Sequence, residues 1–219
     1  MSELVQPEYG PTLAEISGPR WPRVRLAIIV VLAVIAAFLL YRWVIKPATE
    51  RQTIVVRGPV AVNVLSSKAE LTRETPVGTE ELRLRGRGAD RRQTFTITPL
   101  VLPPYGGTDP GGMLPLYAYR DIQRMSREIT GFQLRGEART RINLYPGYSV
   151  LYTGGSAAKG DFFYGRRIYL YPDAPNPKTG VVLDLRTPRT AATQYPDAVG
   201  LADPLKLPLR SFNFGTERP

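Results

Sequence analysis

The stretch ELRLRGR, Glu81 to Arg87, and the stretch QTFTIT, Gln93 to Thr98, decide the fold of this chain. In the first, Leu82 and Leu84 point one way from an extended backbone, while Arg83, Arg85 and Arg87 point the other. In the second, Phe95 and Ile97 alternate with threonines. A period of two belongs to a strand with one buried and one wet face. N-terminal to this pair, Thr53 to Leu65 is rich in Val and Ile around Gly58 and Pro59. It reads as two short strands or one interrupted edge strand.

On the C-terminal side, Pro99 to Pro115 holds five prolines and four glycines, which predicts a long connecting loop. A helix follows near Leu116 to Ile129. Ala118, Ile122, Met125 and Ile129 make one apolar stripe there, and Gly131 stops it. Arg141 to Leu144, Tyr148 to Tyr152, Phe162 to Tyr171 and Val181 to Leu185 then read as strands separated by turns. The expected fold is mainly β: an antiparallel β-sandwich-like or β-meander domain over 51–190 with one short amphipathic helix, then a Pro-rich irregular tail over 191–219. The echo between the segments starting at Arg141 and Arg167 is two strands ending at turns, not a repeat.

Ahead of this domain, Leu26 to Tyr41 is an apolar run that Arg42 interrupts before Trp43, Val44 and Ile45. Twenty residues, 26–45, rise about 30 Å as a helix, the thickness of a bilayer core. Trp21, Tyr41 and Trp43 stand where an interfacial aromatic belt would stand, and Pro47 ends the helix. No pair of small residues follows the run as a cleavage site would require, so the segment reads as an uncleaved signal anchor. The expected order is a disordered tail over 1–22 and a transmembrane helix over 23–47. Flanking basic residues are nearly balanced, Arg20, Arg23 and Arg25 against Arg42, Lys46, Arg51 and Arg57. The tight RWPRVR cluster before the span favours a cytoplasmic N-terminus and an extracytoplasmic domain at the plasma membrane.

The chain lacks both cysteine and histidine, which removes disulfides, thiolate metal sites and His-based nucleophile systems. No cofactor or metal site is expected. Ser156 and Lys159, followed by Lys178, Thr179 and Gly180, match the S-x-x-K and K-T-G strings of penicillin-binding proteins. The glycines around Ser156 disfavour the helix that chemistry needs, and only about twenty residues separate the strings, so the match reads as coincidence. Asp161, Asp173 and Asp184 are taken to lie in or beside turns, where Asp is common. Ten of the twelve tyrosines fall between Tyr105 and Tyr195, near arginines such as Arg166 and Arg167; they are expected to fill a core.

Net charge is +10, and from Arg51 onward 24 basic side chains against 15 acidic ones leave +9 in the domain. The candidate binding residues for an anion or partner are Arg83, Arg85 and Arg87 on one strand face, with Arg91 and Arg92 a turn away. The expected function is a non-catalytic, membrane-anchored interaction module. Its partners are the bilayer through 26–45, a membrane or envelope protein, and an anionic lipid or polymer; nucleic acid is not expected. Alternatives are an accessory subunit assembled through its helix, or an envelope hydrolase or transferase with a carboxylate or Ser-Lys centre. Two outcomes follow for the anchor: full-length protein should resist carbonate extraction, and a reporter fused after Pro219 should be active only outside the cytoplasm. Release by carbonate would remove the anchor, and cytoplasmic reporter activity would reverse its orientation.

Overall fold

The computed structural model describes residues 21–41, 50–102, 110–174, 177–191 and 193–217. The chain divides into two units, Met1–Thr49 and Glu50–Pro219. In the first, α1 spans Trp21–Leu40. It has no polar face after Arg25, and every side chain from Leu26 to Tyr41 is exposed. These sixteen residues rise about 24 Å, short of a bilayer core of about 30 Å. Among the described residues no helix is long and apolar enough to cross a membrane. Arg42 to Ile45, which complete the expected span, and residues 1–20 of the expected tail lie outside the described residues.

The second unit begins with β1 (Arg51–Val56), β2 (Val62–Ser67), β3 (Leu71–Glu74), β4 (Leu82–Gly86) and β5 (Thr94–Val101). After α2 (Leu114–Glu128) come β6 (Gln133–Ile142), β7 (Tyr145–Gly154), β8 (Phe163–Leu170) and β9 (Thr179–Pro188). Helix α3 (Lys206–Arg210) and β10 (Asn213–Phe214) follow. One sheet has the order β1-β2-β10, and the other β3-β4-β5-β9-β8-β7-β6, with every pair antiparallel. The meander from β6 to β9 brings β9 beside β5, in the middle of the larger sheet. Val181, Val182, Leu183 and Leu185 are therefore all buried, as a central strand covered on both faces requires.

Strand alternation assigns the two cores. Leu82, Leu84, Phe95, Ile97, Ile168, Leu183 and Leu185 face the smaller sheet, where Ile54, Val56, Val62 and Val64 meet them. On the opposite face, Val150, Tyr152, Tyr169 and Val182 meet Leu114, Ala118, Ile122 and Met125 of α2. The helix stripe thus packs as its spacing predicts, with α2 starting at Leu114 behind a Pro in its first turn. The result is three layers, helix on sheet on smaller sheet.

Three expectations change. Strand β5 continues through Pro99 to Val101, inside the segment expected to be loop, because Pro99 and Leu100 pair with Val181 and Gly180 of β9. Strand β6 runs from Gln133, well before Arg141; among the described residues it pairs only with β7, and both its faces are largely exposed, so it carries no apolar period. The segment expected as an irregular tail instead closes the core: Val199, Leu205, Leu209 and Phe212 are buried, and β10 pairs with β2. Asp203 holds its turn by accepting hydrogen bonds from the Gly200 and Leu205 amides, each 3.1 Å long.

Phe212 tests that closure. Its ring is fully buried, edge-on to Tyr145 and Phe214. Phe212→Ala should lower unfolding stability by about 3–5 kcal/mol in urea denaturation. Leu201→Ala, at a position 45% exposed in the same segment, should change it by less than about 0.5 kcal/mol. Equal, small effects would show that the C-terminal segment does not form part of the core.

Candidate functional site

Helix α2 covers the sheet over β7, β8 and β9, and leaves the same face bare over β4 and the first half of β5. That bare part is polar. Arg83 and Arg85 project from β4, Thr94 and Thr96 from β5, and Asp184 and Arg186 from β9; cross-strand pairing sets Thr94 opposite Arg186 and Thr96 opposite Asp184. Together with Glu80, Arg92, Asp161 and Phe163, these residues line a cleft of about 320 Å³.

At its floor Asp184 is buried in the central strand. Tyr152 donates its hydroxyl to Asp184 Oδ1 at 2.7 Å, and Arg186 Nε donates to Oδ2 at 2.9 Å and to the Tyr152 oxygen at 3.1 Å. Burial alone would raise the Asp184 pKa. The nearby Arg186 and Arg167 charges and the hydrogen bonds from Tyr152 and Arg186 outweigh it, and the carboxyl is held below the usual range. Burial and the Asp184 charge push the Tyr152 phenol well up, so it stays protonated and keeps donating. The Arg186 guanidinium also lies 5.4 Å from the Phe163 ring centroid, in cation–π range.

A parallel set of bonds ties α2 to the sheet. Tyr169 donates to Asp121 Oδ2 at 2.7 Å, and Arg167 Nε lies 2.9 Å from the same oxygen as an ion pair without hydrogen-bond alignment. Arg124 hydrogen-bonds to the other Asp121 oxygen. On the cleft's outer wall, Glu80 grips Arg83 through two bonds, 2.8 Å to Nε and 2.7 Å to Nη2. Burial raises the Glu80 pKa, but the bonds from Arg83 and the Val77 amide, with the Arg83 charge, outweigh it and leave a net depression.

The five arginines expected as a binding face divide between two neighbouring concavities. Arg83, Arg85 and Arg92 line the cleft. Arg85, Arg87 and Arg91 line a shallow depression beside it over the β3–β4 edge. Arg85 bridges the two; it pairs with Glu74 at 3.2 Å and donates to the Arg91 carbonyl at 2.7 Å. Arg87 donates to the Leu71 carbonyl at 3.4 Å, and Arg92 to the Gly160 carbonyl.

Arg186 and Asp184 are the cleft residues the strand reading passes over. Asp184 belongs mid-strand in β9, not beside a turn. The signal is a carboxylate within VVLDL, a run otherwise apolar at every position.

Ser156 and Lys159 sit in the turn between β7 and β8, where the Ser156 carbonyl accepts from the Lys159 amide at 3.2 Å. The serine therefore does not open a helix. Lys178, Thr179 and Gly180 lead into β9 at the opposite end of the strand from the cleft's Arg186. Among the described residues no group of three acidic, His or Cys side chains could hold a metal.

Because the folded pKa of Asp184 lies below an unfolded value of about 3.9, its charge contributes stability above that pH and loses it as pH falls through the folded value. Asp184→Asn should cost about 3 kcal/mol at pH 7 by leaving Arg186 without its buried counter-charge, while Arg167 keeps Asp121. Urea denaturation from pH 7 to pH 2 should show the gap between variant and wild type closing below about pH 3.9. A gap independent of pH would place the cost in packing instead.

No family model matches the chain, and no curated protein matches its sequence. Among solved structures it is similar to the solution structure of the cyanobacterial PsbP protein CyanoP from Synechocystis, at 10% identity over 76% of this chain and 93% of that one, TM-score 0.49. LpqN of Mycobacterium tuberculosis, involved in cell envelope biogenesis, matches at 12% identity over 77% and 92%, TM-score 0.48. The Saccharomyces cerevisiae Ran-binding protein Mog1p matches at 12% identity over 74% and 94%, TM-score 0.47. All three scores fall below one half, and neither fold family nor role passes from these proteins to this chain.

Proposed function

We propose that this chain is a single-pass membrane protein whose N-terminal helix holds a non-catalytic interaction domain outside the cytoplasm. The domain binds a partner protein or an anionic envelope component through the arginine-lined cleft. The observation that carries this reading is the bare part of the helix-side sheet face. Its lining sets the guanidiniums of Arg83, Arg85, Arg92 and Arg186 and the hydroxyls of Thr94 and Thr96 beside Phe162 and Phe163, a surface suited to a ligand that brings carboxylates or phosphates. The anchor rests on α1, whose exposed side chains from Leu26 to Leu40 are all apolar. Such a surface is unfavourable in water and suited to hydrocarbon, and the stretch 26–45 has the twenty residues that a span of about 30 Å requires.

A second reading, an accessory subunit assembled through the membrane helix, draws on the small-residue strip of Ala33, Ala36 and Ala37. One experiment separates the two. Residues 26–45 are replaced by an unrelated spanning helix, and crosslinked partners in native membranes are compared with those of an Arg85→Ala, Arg92→Ala variant. The interaction domain predicts that the helix swap keeps the partner and the double variant loses it. The reverse pattern would overturn it in favour of the subunit.

A further inference from the structure

The cleft has a neighbour beyond Thr96. On the same face a second cleft of about 370 Å³ lies against α2, with Thr98, Leu100, Val182, Tyr117 and Arg167 in its lining. Thr94, Thr96, Thr98 and Leu100 share one face of β5, and Arg186, Asp184 and Val182 share the facing positions of β9. The two clefts therefore follow one another along β5, and from Thr94 to Leu100 this groove is about 20 Å long. Arg83, Arg85, Arg92 and Arg186 line one end, and Arg120, Arg124 and Arg167 the other. These seven arginines stand against four carboxylates in the lining, Glu80, Asp161, Asp184 and Asp121, and Glu74 pairs with Arg85 from the neighbouring depression. Each carboxylate already accepts a hydrogen bond from within the domain.

We propose that this groove holds an extended acidic segment of a partner protein, about six residues long, with Asp or Glu at every second position. The proposal rests on the interaction-domain reading above and names its ligand. Three features select this occupant. An extended peptide repeats its side chains every two residues, about 7 Å, the same interval at which β5 presents Thr94, Thr96 and Thr98 along the floor. Arginine forks on the groove walls match carboxylates in geometry as well as charge. Arg85 and Arg124 stand exposed on the rim of the groove, at 48% and 53%, while the Arg83, Arg186 and Arg167 side chains below are recessed, at 28%, 37% and 11%. A flat bilayer surface would touch the rim without reaching them, whereas a single chain can enter.

The test is fluorescence anisotropy with full-length protein in detergent micelles and three probes: a ten-residue peptide alternating Glu and Thr, its block isomer of five Glu then five Thr, and inorganic polyphosphate. The alternating peptide should bind tightest and weaken as salt rises. Arg85→Ala with Arg120→Ala, one change at each end of the groove, should reduce its affinity about ten-fold or more. Arg139→Ala with Arg141→Ala, on the β6 edge away from the groove, should leave it unchanged. Thermal melts of both variants confirm that they are folded; if the groove variant is not, Arg120→Ala alone should still weaken binding. Equal binding of the two isomers, binding of polyphosphate alone, or no loss in the folded groove variant would overturn the acidic-strand ligand. A chain that binds none of the three probes, yet keeps its crosslinked partner after the helix swap, overturns this inference and leaves the interaction-domain reading standing.

Discussion

The site depends on one buried carboxylate. Asp184 stands in the central strand of the larger sheet, where ionised groups lose most of their hydration. That loss costs several kcal/mol for an isolated ion. It is offset by the Arg186 and Arg167 charges and by the Tyr152 hydroxyl. The arrangement constrains its neighbours in turn. Arg186 is drawn against the floor of the cleft and over Phe163, and Tyr152 is fixed as a donor between β7 and β9. Asp121 repeats the device one layer up, joining α2 to Tyr169 and Arg167 of β8. Arg167 lies close enough to both acids to feel each charge, and it links the helix clamp to the floor.

This polar seam also marks the edge of the area that α2 covers on the sheet. The stripe of Leu114, Ala118, Ile122 and Met125 is satisfied by Val150, Tyr152, Tyr169 and Val182. Beyond it the sheet offers charges and hydroxyls, against which an apolar helix face gains nothing. The uncovered strip is therefore a consequence of which residues alternate on β4, β5 and β9. It leaves a surface whose chemistry suits a charged partner better than another layer of the same domain.

Much of the fold is legible in the sequence wherever one side of an element is buried. Leu82 and Leu84 against Arg83 and Arg85, Phe95 and Ile97 against threonines, and the α2 stripe all announce their faces by period. The rest is hidden for physical reasons. Strand β6 buries neither face, so its ten residues, QLRGEARTRI, carry no alternation of apolar and polar. Val199, Leu205, Leu209 and Phe212 enter the core from turns and a five-residue helix, at spacings that match no regular period. At the site, Arg83, Arg85 and Arg92 follow from strand alternation and a turn, but their meeting with Arg186 does not. It requires knowing that β9, some ninety residues later, lies next to β5.

The central claim is that the domain engages its partner through the uncovered sheet face. The most direct measurement places a photo-crosslinking amino acid at Thr98, in the floor of the groove, and at Thr140, on the β6 edge, with irradiation in intact cells and mass spectrometry of the adducts. The account predicts a discrete adduct from position 98, mapping to an acid-rich segment of another protein, and none to that segment from position 140. An adduct with the same partner from position 140 but not 98, or from Ala33 in the helix alone, would contradict it.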